Sequence, residues 1–185
     1  MTGSTVALGG LNDSPVLVGG LEVYWWMATS MGEACQSVAH LIVDALLLSV
    51  SGKGGGAAVA LARTTVAQVE RILTALLRAA HPARALSLLS ERISSVSAPA
   101  IQVATKILGN IAAISPPALV HLHLDDILPP LFRAFAHPHA DVRKAVVFCL
   151  VDLYRALGAD LWPYLDEGLS NSQLKLVTIY INRLQ

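Results

Sequence analysis

Between Leu128 and Gly158 the apolar positions keep a helical rhythm that breaks once, at His137-Pro138. The residues before the break read as the first helix of an antiparallel pair. Asp125 and Asp126 suit its N-cap and first turn, where orphan N–H groups and the positive dipole end lie. Pro129 and Pro130 then fall early in the helix, where a missing N–H is least felt. After the break, Asp141 reads as a second cap, and Val142, Ala145, Val146, Cys149, Leu150 and Leu153 make one apolar face. Val147, Phe148 and Val151 lie off that face and are apolar as well, so this second helix is expected to be enclosed by neighbours on several sides. Such a pair cannot bury itself alone, and that need predicts an array of stacked helix pairs.

The same periodicity runs along the rest of the chain. Residues 21–32 and 33–51 read as a helix pair, Ser51 to Gly56 as a glycine-rich loop, and residues 57–80 as a long helix. That long helix carries Val59, Val66, Val69, Ile72, Leu73, Leu76 and Leu77 on its stripe. A helix over 83–96 is separated by Ser97-Ala98-Pro99 from one reaching Ile114, with Ile101, Ala104, Ile107, Leu108 and Ile111 inward. Pro116-Pro117 is expected to end it. Asp160 caps a short helix over 161–165, and Asn171-Ser172 caps a last one over 173–184 with Leu174, Val177, Ile181 and Leu184 on one stripe. No alternating strand pattern bounded by hairpin turns appears, so the class is all-α, a solenoid of roughly four antiparallel pairs in a right-handed stack. The domain is expected to span 21–185, with 1–20 a poorly ordered leader.

Composition narrows the field. Hydrophobic residues are 54% and charged ones 14% of 185, which argues against disorder for most of the chain. Thirteen basic and thirteen acidic residues cancel, so no basic field invites nucleic acid. The greasiest run, Val38 to Val50, contains His40 and Asp44 and falls short of the roughly 20 apolar residues a membrane span needs, so no membrane insertion is expected. Cys35 and Cys149 sit in apolar helical contexts and read as free core thiols.

The two halves of the pattern also repeat. Leu128, Pro130 and Leu131 align with Leu161, Pro163 and Tyr164, and Val142-Arg143 with Leu174-Lys175. A helix pair with proline early in the first helix and Asp-Val-Arg opening the second is the signature of a HEAT repeat, at about 40 residues per unit. Arg143 then has two readings, pairing with equivalents in adjacent repeats and contact to a partner.

Three strings carry a narrower resemblance: Asp141-Val-Arg-Lys-Ala-Val-Val-Phe-Cys-Leu-Val151, Gly158-Ala-Asp-Leu-Trp-Pro-Tyr-Leu165 and Leu174-Lys-Leu-Val-Thr-Ile-Tyr-Ile-Asn-Arg183. Together they resemble the C-terminal HEAT domain of the CLIP-associating proteins (CLASPs), closely from Leu119 to Gln185 and loosely from Val38 to Pro117. The resemblance implies a non-enzymatic regulator of microtubules at plus ends, spindle, kinetochores and cortex, similar to the TOG-domain proteins. For this domain it implies a docking platform for CLIP-type plus-end proteins and for kinetochore or cortical adaptors, with direct tubulin binding ranked below adaptor binding. The basic Ser/Arg-rich linkers and the Ser-x-Ile-Pro motif of the family are not in this chain, so plus-end tracking by itself is not expected. The loops at 51–56, 97–99, 137–140 and 170–172 would line one edge, with Arg143, Lys144 and Lys175 just inside the following helices. Arg143, Lys144, Lys175, His139, Asn171 and Trp162 are the candidate partner-binding residues. A generic HEAT scaffold of transport or phosphatase type, without a microtubule link, is the alternative.

Catalytic and metal chemistry find little support. His121 and His123 near Asp125 and Asp126, and His137 and His139 near Asp141, lack HExxH or paired-Cys spacing and read as residues at helix ends. Ser51-Gly-Lys-Gly lacks the spacing of a phosphate loop, and no G-x-S-x-G elbow appears. No cofactor is expected. Trp25-Trp26 divide between core and interface on periodicity alone.

Overall fold

A computed structural model describes residues 40, 43–44, 46–47, 67–75, 77, 81–94 and 97–183. The expectations for the leader, for the helix over 21–32, for the loop at 51–56, for Trp25-Trp26 and for Cys35 lie outside the described residues. Within them, residues 67–75 are helical and Val69, Ile72, Leu73 and Leu77 are buried, as their stripe predicts. Helices α1 (Pro82–Ile93), α2 (Ala98–Ile114), α3 (Pro117–Leu122), α4 (Leu124–Phe135), α5 (Ala140–Leu157), α6 (Trp162–Gly168) and α7 (Asn171–Asn182) follow, with a 3-10 turn, Gly158–Leu161, before α6. No strand occurs among the described residues.

Among the described residues two pairs pack directly, α1/α2 and α4/α5, and α6 and α7 follow in the order of a third. The first helices α1 and α4 pack on one another, as do the second helices α2 and α5, and then α5 and α7. This is the side-by-side order of a solenoid, in which each pair is closed by its neighbours. Helix α3 was not expected. Pro116-Pro117 does end α2, but Pro117 is also the first residue of the next helix, where its fixed φ and missing N–H fit.

Helix α5 explains the stack. All six residues of its predicted face are buried, and Val147 and Val151 beside that face are buried as well. Its longest seam is with α2, whose Ile101, Ala104, Ile107, Leu108 and Ile111 are buried, as periodicity requires. A side chain on Gly109 of α2 would come within 3.2 Å of the Cys149 Cα and 3.0 Å of an Asp152 carboxylate oxygen. Glycine there lets the two helix backbones close on each other. Helix α5 ends at Gly158, whose φ of 63° lies in the left-handed region that favours glycine.

Polar links tie successive layers. The Arg92 guanidinium of α1 holds the Asp44 carboxylate through Nε and through Nη2, the latter at 3.0 Å. Hydrogen bonding to Asp44 raises the Arg92 pKa further, against the opposing pull of burial. Lys106 Nζ of α2 lies 2.7 Å from Glu70 Oε1, and Arg133 Nη2 of α4 donates to Ser94 Oγ at 2.9 Å.

The helix ends correct several expectations. The caps of α4, α5 and α6 are His123, His139 and Leu161, and none makes a side-chain capping bond. Asp125, Asp126 and Asp141 lie two or three residues past the caps, where a carboxylate still complements the dipole. Asp160 sits in the 3-10 turn rather than capping α6. The last helix is capped by Ser170 instead of Asn171-Ser172, in a capping box with Gln173. Pro129 and Pro130 lie inside α4, not in its first turn. The carbonyls they leave without an intrahelical donor, four residues back, belong to exposed Asp125 and Asp126, within reach of water.

Candidate functional site

Where α5 and α7 run side by side, the first half of α5 and the middle and end of α7 leave a groove of about 330 Å³. Phe135 of α4 lies among its lining residues, α5 contributes Arg143, Lys144, Val147 and Phe148, and α7 contributes Leu176 and Tyr180. Phe148 meets the Tyr180 ring edge-on at 5.5 Å between centroids. Spacing explains the meeting: Lys144 and Phe148 are four apart on α5, as Leu176 and Tyr180 are on α7, so each pair forms one ridge. These residues sit off the buried stripes of their own helices and turn toward the gap between them.

Phe148 is 42% exposed, Leu176 40% and Ile179 50%. Phe148, apolar and off the buried face of α5, is therefore left partly open. Cations stand over the two rings, Lys144 Nζ 5.9 Å from the Phe148 centroid and Arg183 5.4 Å from that of Tyr180.

Among the described residues Arg143 pairs with no side chain of an adjacent repeat. Its Nη1 donates to the carbonyls of His137 at 2.8 Å and Pro138 at 2.7 Å, pinning the loop that joins α4 to α5. His139 caps α5 with its backbone, donates its N–H to His137 Nδ1 at 3.1 Å and stacks on that ring at 5.3 Å. Lys175 and Asn171 are exposed on α7 outside the groove lining. Trp162 is half-buried on α6, edge-on to Tyr154 at 5.7 Å. Tyr154 lies ten residues along α5 from Lys144, about 15 Å away by helical rise. The structure thus brings Arg143 and Lys144 to one groove and leaves Trp162 apart from it. Phe148, Leu176 and Tyr180 were missed as candidates; the signal was apolar residues off the buried stripe on two successive second helices.

On the first helices a separate groove of about 360 Å³ lies between α4 and α6, lined by Leu128, Phe132 and Tyr164 with Asp125 and Glu167. Elsewhere the titratable groups behave as packing. Burial, with a smaller push from Asp152, raises the Cys149 thiol far above its ordinary range, which keeps it unreactive. Asp152 is also raised by burial, against the charge and hydrogen bond of Arg155 at 3.2 Å. His123 Nδ1 is 3.5 Å from Asp126 Oδ2, and no three His, Cys, Asp or Glu residues among those described gather as a metal site would require. No helix among the described residues is long and apolar enough to cross a membrane.

Stacked helix pairs, proline inside the first helix and a closely packed second helix define an α-solenoid of the HEAT class. In agreement, a HEAT-like repeat family matches residues 104–152, from the middle of α2 through most of α5. The chain is 42% identical over 121 residues to a "CLIP-associated protein" of Arabidopsis thaliana, covering 63% of this chain and 8% of that protein. It is 34% identical over 127 residues to "CLIP-associating protein 1-B" of Xenopus laevis, covering 66% and 8%, and 38% identical over 61 residues to "Protein CLASP-2" of Caenorhabditis elegans, covering 32% and 6%. The chain is thus similar to a segment of the CLIP-associating proteins, as its three sequence strings indicate, and the first two matches span under a tenth of those relatives' length.

Proposed function

We propose that this chain is a non-enzymatic adaptor segment that holds protein partners at microtubules, in the cytoplasm and on the spindle. The observation that carries the reading is the 42% identity over 121 residues to a protein named for its association with CLIP. The fold supports it: a rigid stack of pairs offers an edge and grooves. CLIP-type plus-end proteins are the first partners, followed by kinetochore or cortical adaptors, with tubulin held through them. Arg143, Lys144, Lys175, His139 and Asn171, at the start of α5 and α7, form the proposed contact edge. Trp162, packed beside Tyr154, is left out of it.

The test is a pull-down of a CLIP-type protein from purified components, run beside microtubule co-sedimentation. Capture of the CLIP-type protein, with co-sedimentation only when that protein is present, is the expected result. Capture of neither would leave a HEAT scaffold without a microtubule link.

A further inference from the structure

Five large hydrophobic residues among those described are markedly exposed; two of them, Phe148 and Leu176, face each other across the α5/α7 groove, and a third, Ile179, lies three residues along α7 from Leu176. Clustering of this kind marks a contact surface, whereas isolated exposed residues need no explanation. The volume, about 330 Å³, lies at the low end of the range of about 300–1,000 Å³ seen for ligand clefts, a size for side chains rather than a large cofactor.

Charge selects what those side chains belong to. Of the two basic lining residues, Lys144 has no carboxylate within 4.0 Å among the described residues and Arg143 donates to neutral carbonyls; Arg183, over the Tyr180 ring beside the lining, has no carboxylate within that distance either. Against these cations stands a single lining acid, Asp141. The α4/α6 groove has the opposite character, with Asp125 and Glu167 and no basic residue in its lining. A cation held over an aromatic face keeps its remaining N–H donors turned outward, ready for a carboxylate.

We propose that the α5/α7 groove binds a short acidic segment of a partner protein that carries one or two large aliphatic side chains. The aliphatic anchor lies against Val147, Phe148 and Leu176, and flanking carboxylates meet Lys144 and Arg183. The proposal deepens the adaptor reading above and rests on it. Anchors in an apolar pocket supply most of the energy of such a contact, and the charged rim sets its sign preference and speed.

The full chain is titrated by fluorescence anisotropy with a labelled synthetic peptide bearing two leucines four residues apart between glutamates, and with a counterpart in which lysines replace the glutamates. The acidic probe should bind the unaltered chain, and both Phe148→Ala and the double variant Lys144→Glu, Arg183→Glu should weaken it at least about tenfold. The double variant should instead take up the lysine probe. All three positions are surface ones, and unchanged helical circular dichroism confirms folding. No binding of the acidic probe, or equal binding by all variants, overturns the proposal. So does concentration-dependent self-association that the double variant abolishes, since the occupant is then a second copy. A CLIP-type protein captured equally by the unaltered chain and the double variant overturns the groove assignment and leaves the adaptor reading standing. Capture by neither, with the acidic probe bound at the groove, sinks the adaptor reading alone.

Discussion

Helix α5 has two second-helix neighbours and meets them in opposite ways. Toward α2 the seam is closed, because Gly109 lets the backbones approach until Cys149 and Asp152 lie against it. Toward α7 the seam stays ajar, because Phe148 and Tyr180 meet edge-on and prop the ridges apart. Both seams are apolar; residue size decides whether apolar surface becomes core or groove. The closed seam holds the array together, and the open one leaves surface for something else to cover.

The contrast can be broken by experiment. Leu150→Ala, at a fully buried position of α5, should lower unfolding free energy by about 2–5 kcal/mol. Phe148→Ala should cost only about 0.5–1.5 kcal/mol, the scale of one edge-on aromatic pair. Equal losses in chemical denaturation would mean that the α5/α7 seam is as much core as the other. Arg143→Ala should come next, at about 1 kcal/mol, since it frees two loop carbonyls that water can reach. Faster hydrogen exchange confined to the start of α5 would be its signature, and no local change would show that the loop holds itself.

The smallest effect concerns Asp152 beside Gly109. Burial raises its folded-state pKa, so the folded chain binds that proton more tightly than the unfolded one. The associated stability is present below the ordinary carboxylate range and is lost as pH rises through the raised folded value. Asp152→Asn has no such dependence, so its melting temperature relative to the unaltered chain should rise from acid to neutral pH. A fall instead would show that the Arg155 pair outweighs burial at this seam.

Periodicity made the helices and their buried stripes legible: the inward faces of α2 and α5 fall where spacings of three and four place them. Caps were harder, because an acid in the first turn and an acid at the cap satisfy the same dipole, and Asp125, Asp141 and Asp160 fit either reading. Ser170 was recoverable from its Gln173 three residues on, a capping-box pattern, and Pro117 from the preference of proline for the first helical position. The groove was not legible in any one helix. It depends on how residues off the stripe of α5 face those off the stripe of α7, a relation between neighbours that one-helix periodicity leaves open. Lys144 and Arg143 were found for their charge; Phe148, Leu176 and Tyr180 passed as ordinary helical apolar residues.

Arg143 spends its hydrogen bonds on two main-chain carbonyls, and carbonyls accept bonds without cancelling charge. Its full positive charge therefore stays fixed at the mouth of the groove while its position is held. Such a charge acts before contact, over a screening distance of about 8 Å at physiological ionic strength. An approaching acidic chain would feel it during encounter, so added salt should slow association more than it speeds release.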